Sequence, residues 1–170
     1  MITNIGTFIF NGGTISSQYT AIDNEDGTHR GTLYVKGGEI SSENITVTDG
    51  TINVEGGTIR TSGTNGIVNA TVNVKSGSVV AENGVAIGYS CTASISGGTV
   101  TGTTVAVDTN TLNMTGGTIN GPIGANLNNA NISGGTINGA TNGVVTKNIT
   151  MEGGTINSSE GIGLTITKEG

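Results

Sequence analysis

One short phrase keeps returning along this chain. "NMTGGTINGP" begins at Asn113, "NISGGTINGA" at Asn131 and "TMEGGTINSS" at Thr150. Counted from the first residue of each doublet, the phrase falls at Gly12, Gly37, Gly56, Ser76, Gly97, Gly116, Gly134 and Gly153, with gaps of 25, 19, 20, 21, 19, 18 and 19 residues. A period of this size marks a repeat architecture. One unit cannot bury its apolar face alone, and its neighbours complete the core.

The contents of each unit decide what that architecture is. An alternating apolar pair precedes the doublet, as in Phe8/Phe10, Leu33/Val35, Ile52/Val54 and Leu112/Met114. After the doublet comes a polar residue and then a single apolar one: Ile15, Ile40, Ile59, Val79, Val100, Ile119, Ile137, Ile156. A third apolar group closes the unit, as in Val85/Ile87, Val105/Val107 and Ile162/Leu164. Period-two alternation in short pieces specifies strands, and no segment carries the apolar spacing of an amphipathic helix. Residues with β-branched side chains are plentiful and helix formers scarce.

Three short strands per unit, separated by Gly, Asn and Ser, describe one coil of an all-β solenoid. About eight coils of ~20 residues, stacked ~4.8 Å apart, make a single domain over residues 1–170 and a rod roughly 38 Å long. The doublet belongs at a corner, where glycine reaches positive φ without steric cost. The variable period breaks the strict six-residue register of left-handed solenoids. The expectation is therefore a right-handed parallel β-helix, the usual hand of a parallel crossover.

Composition narrows the function classes. The chain has 31 Gly, one Pro, and a net charge of −6. Six Lys and Arg, thinly spread, make no phosphate-binding stripe, so nucleic acid is not expected as a partner. Neither is a membrane, because there is no basic amphipathic segment and no run near the ~18 apolar residues of a spanning helix. The lone Cys91 permits no internal disulfide. "MITNIGTFIF" lacks the basic region and cleavage site of an export signal. The chain reads either as a cytoplasmic product or as a slice of a longer repeat array.

Segments such as "GTLYVKGGEI", "GTINVEGGTI" and "NTLNMTGGTI" resemble the Gly-Gly-Thr-Ile repeats of large bacterial surface proteins. Those proteins are right-handed β-helices of the pectin-lyase-like type and include non-catalytic carbohydrate-binding members. The resemblance covers nearly the whole chain. It implies an extracellular or cell-surface adhesin module in contact with glycan or cell-surface polysaccharide.

Two candidate sites emerge from the residues themselves. The outward positions beside the buried Ile form a Thr-x-Asn array in the later coils: Thr99, Thr118, Thr136 and Thr155, with Asn120, Asn138 and Asn157 two positions on. Such a face could hydrogen-bond a sugar chain. It also loosely resembles the Thr-x-Thr faces of ice-binding solenoids, although Thr is a good exposed strand residue in any case and Asn ladders stabilise stacked coils. The second candidate is "AIDNEDGTHRG" in the longest repeat, where Asp23, Asn24, Glu25 and Asp26 form an oxygen-rich loop that could hold Ca²⁺. The plainer reading of that loop is an Asp-Gly turn. No other cofactor is expected.

β-helix polysaccharide enzymes need clustered carboxylates. With four Asp, two Arg and one His mostly spread one per coil, no catalytic activity is expected. At the ends, "GTFIFNGGTI" starts a full repeat close to Met1, and "ITKEG" (166–170) matches "ITMEG" (149–153), as though a ninth coil were beginning. Uncapped coil ends expose strand edges. End-to-end self-association into a fibre is therefore the alternative to a stalk or adhesin.

Overall fold

The computed structural model describes residues 1–168. They form a helix-free parallel β-solenoid with three sheets running along its length. The first sheet carries the pair that precedes each doublet, in the register Phe8, Leu33, Ile52, Val72, Ala93, Leu112. The second carries the residue after it: Ile15 pairs with Ile40, then Ile59, Val79, Val100 and Ile119, and Ile137 pairs with Ile156. The third sheet aligns Ile2, Ile22, Val47, Ile67, Ile87 and Val107, and further along Val144 with Leu164. All strand pairings are parallel, so each inward residue stacks on its equivalent one coil away. Leu33, Ile59, Ile67, Leu112 and Ile137 are completely buried in the resulting core.

The doublet does sit at a corner, and its two members differ. The second residue is left-handed in all eight copies, from φ 61° at Gly57 to 89° at Gly13. L-residues with a side chain rarely adopt this conformation. At Gly135 an added Cβ would also come within 2.5 Å of Met114 Cε. The first residue is not left-handed, and Ser76 occupies that place in one coil. Its hydroxyl donates to the Glu55 carbonyl at 2.5 Å, and the strand register shifts on either side of it.

Two details differ from the sequence reading. The solenoid opens with a third-sheet strand, Ile2–Thr3, ahead of the first doublet repeat. At the other end Ile166 pairs with Thr146 in the third sheet, so it is not the equivalent of Ile149, which precedes its doublet as Leu112 does. The apparent match of "ITKEG" to "ITMEG" is a coincidence of composition in a low-complexity chain. Its last two residues, Glu169 and Gly170, lie outside the described residues.

The 25-residue repeat owes its length to one corner. Residues 24–31 separate the third-sheet strand Ile22–Asp23 from Thr32–Val35, whereas only residues 49–50 do so one coil later. The extra residues fold back as a small hairpin with an antiparallel Glu25–Arg30 bridge. The terminal strand Ile162–Ile166 exposes Ile162, Leu164 and Ile166, and Met1, Ile2 and Ile9 are exposed at the opposite end.

Candidate binding face

The Thr-x-Asn residues meet as the spacing requires. Thr99 pairs with Thr118 and Thr101 with Asn120; further along, Thr136 pairs with Thr155 and Asn138 with Asn157. The intervening Val100, Ile119 and Ile137 point into the core and are fully buried, and Ile156 is half-buried at the end of the column. This alternation turns both polar columns outward.

The Asn column is a hydrogen-bonded ladder. Asn138 Nδ2 donates to Asn120 Oδ1 at 2.9 Å, and Asn157 Nδ2 donates to Asn138 Oδ1 at 2.9 Å. Each rung uses one N–H and one lone pair, leaving each internal amide a second N–H and lone pair for another partner. The threonines beside it are half-buried at Thr99, Thr118 and Thr136 and exposed at Thr155.

The same face changes character towards the N-terminus. There Arg60 replaces the Asn, and its guanidinium bridges Glu39 at 3.3 Å and Glu82 at 2.8 Å. Hydrogen bonds to Glu82 and Glu39 hold the guanidinium pKa above its ordinary value. Thr58 and Ser78 share a hydroxyl hydrogen bond of 3.0 Å. The uncharged array is therefore confined to the strands containing Thr99, Thr118, Thr136 and Thr155.

Amide ladders are not unique to this face. Asn73 donates to Asn53 at 3.0 Å, and Asn131 to Asn113 at 2.9 Å, on the outside of the first sheet. The ladder is thus a scaffold element. The first-sheet face also carries an in-register Thr column, Thr51, Thr71, Thr92 and Thr111, two positions before Asn53, Asn73, Ser94 and Asn113. The second-sheet face is therefore one of two Thr-x-Asn faces on the rod.

The acidic corner is organised as a turn. Asp26 Oδ1 accepts from the Thr28 and His29 amides at 2.9 and 2.7 Å, and Gly27 takes φ 88°. These backbone donors lower the Asp26 pKa to about 2, the His29 amide contributing most. Glu25 pairs with Arg30 at 2.8 Å, and Asp23 accepts from the Glu25 amide at 3.2 Å. Asn24 is buried and accepts from Asn4 Nδ2 at 2.8 Å. The four residues of the calcium candidate thus turn to separate partners. Among the described residues no three carboxylate, imidazole or thiol side chains converge on one point.

Cys91 lies buried at the corner after Ser90. Its Sγ accepts from the Ala70 amide at 3.4 Å, and burial pushes the thiol pKa up to about 11.

Sequence reading missed a groove of about 330 Å³ where the third sheet turns toward the first. Tyr89, Asp108, Asn126, Asn128 and Lys147 line it. The available signal was the outward register of Asn110, Asn128 and Lys147 on successive coils, beside Asp108 and Asn126. Unequal corner lengths hid it. No family model matches the chain, and neither a curated protein nor a solved structure does.

Proposed function

We propose that this solenoid is a non-catalytic structural and adhesive module of a bacterial surface protein, contacting glycan along its Thr/Asn face. The observation that carries this reading is the uncharged, in-register Thr-x-Asn array built on a Val/Ile column that is fully buried from Val100 to Ile137. It offers hydroxyl and amide donors and acceptors at a spacing of ~4.8 Å per coil, without ordering any loop on binding. On this face the charges of the earlier coils, Glu39, Arg60 and Glu82, are paired with one another, so its uncharged later stretch is the part free to engage a polar polymer. The surface location rests on the resemblance of the repeats.

Thr118→Leu with Thr136→Leu tests the reading. Both residues are outward strand positions, so the fold should survive. Retention on immobilised polysaccharide should fall to background while circular dichroism stays unchanged. Full retention by the double variant would remove the Thr face as the site.

End-to-end stacking is the second reading, supported by the exposed Ile162, Leu164 and Ile166 on a strand that pairs with Asn142–Thr146. Negative-stain microscopy over a dilution series separates the two. Uniform filaments support stacking, and dispersed short rods at every concentration exclude it.

A further inference from the structure

We infer that the groove at the third-sheet corner is a second binding site, distinct from the Thr/Asn face, and that it takes a neutral oligosaccharide. Its floor is a grid of hydrogen-bonding groups. Asp108 and Asn110 point outward on either side of buried Thr109, and the next coil places Asn126 and Asn128 beside them. Asn126 donates to Asp108 at 3.0 Å and Asn128 to Asn110 at 3.1 Å. Each amide retains a second N–H, and Asp108 retains lone pairs.

The two ends of the groove are of different kinds. At one end stands Tyr89, 58% exposed. Tyr89 and Ser90 both adopt left-handed backbone, with φ 37° and 58°. Left-handed backbone recurs at this corner in earlier coils, at Asp49 and Gly50 and at Asn69, and here it carries a bulky aromatic side chain for which that conformation is costly. The Asn69 amide donates to the Tyr89 carbonyl at 2.9 Å and fixes the corner.

Lys147 stands at the other end. Arg30, Lys36, Arg60 and Lys75 each pair with a carboxylate, whereas Lys147 has no ion pair among the described residues.

Across four coils these groups span ~14 Å, the reach of a short oligosaccharide. An aromatic face at one end suits the C–H face of a sugar ring, and the alternating amides suit its hydroxyls. One ammonium and one carboxylate leave the groove without net charge, which favours a neutral ligand over an acidic one.

Tyr89→Gly isolates this site, because it removes the ring and relaxes the left-handed backbone together. The probes are short neutral gluco-, manno- and galacto-oligosaccharides beside a polygalacturonate oligomer, read by array and then calorimetry. The expectation is that at least one neutral probe binds. Tyr89→Gly should weaken it by about tenfold or more at an unchanged or higher melting temperature. The Thr118→Leu/Thr136→Leu chain should still bind it. If Tyr89→Gly lowers the melting temperature, Lys147→Met, an exposed change, takes its place with the same expected loss. The inference is overturned if no neutral probe binds or if the acidic probe alone binds. It is also overturned if these corner variants bind normally, or if the Thr-face variant alone abolishes binding.

Discussion

Asn138 is bonded to both of its neighbours in the ladder, donating to Asn120 and accepting from Asn157, at 2.9 Å in each case. It therefore ties together three successive coils from outside the core. Asn138→Ala breaks both rungs and should cost about 1–2 kcal/mol in urea unfolding. Asn157→Ala breaks only the outer one and should cost roughly half as much. Equal losses in the two variants would show that the inner rung, Asn138 to Asn120, adds nothing beyond the outer one.

The two positions of the doublet should respond differently to a side chain. Gly135→Ala places a Cβ against Met114 Cε and Gly116 backbone at φ 85°, and should destabilise by roughly 2–5 kcal/mol. Ser76 already carries a Cβ at the first position, accommodated by a local register shift, so Ser76→Ala should cost no more than about 1 kcal/mol. Chemical denaturation of the two variants checks the contrast.

The Asp26 turn predicts a local acid transition. Its folded pKa lies below the ordinary carboxylate value because the carboxylate caps the His29 and Thr28 amides. The stabilisation is complete above the unfolded pKa, near 4, and is lost as pH falls towards about 2. The His29 amide proton should titrate in that window by NMR, while core amides such as that of Ile67 do not. Asp26→Asn should abolish the titration. A His29 shift that persists in this variant would assign the transition elsewhere.

The core was legible because its signal is repeated. Ile15, Ile40 and Ile59 occupy one column for the same reason that each follows a doublet by the same step, and parallel stacking preserves that step. The Thr118 and Asn120 columns could be read on the same ground. Corners were not legible, because their length varies without disturbing the strands they join. Thus Glu25 and Arg30 close a hairpin that spacing alone did not announce, although the Asp-Gly turn between them was visible. Likewise Tyr89 meets Lys147 across one groove although 57 intervening residues separate them. Ile166 shows the opposite hazard, where similar wording in a simple alphabet suggested an equivalence that strand pairing denies.

The amide ladders also give the rod a direction. From Asn73 to Asn157, each Asn–Asn rung donates from the later coil to the earlier one, whether on the first sheet, the second or the corner beside Asn128. Asn4, which donates forward to Asn24, is the exception. Side-chain dipoles aligned this way add along the axis, as peptide dipoles do in a helix. The solenoid is then electrically vectorial: its two ends differ in local potential even where their residues are alike, a difference felt only close to each end because solvent and salt screen it beyond.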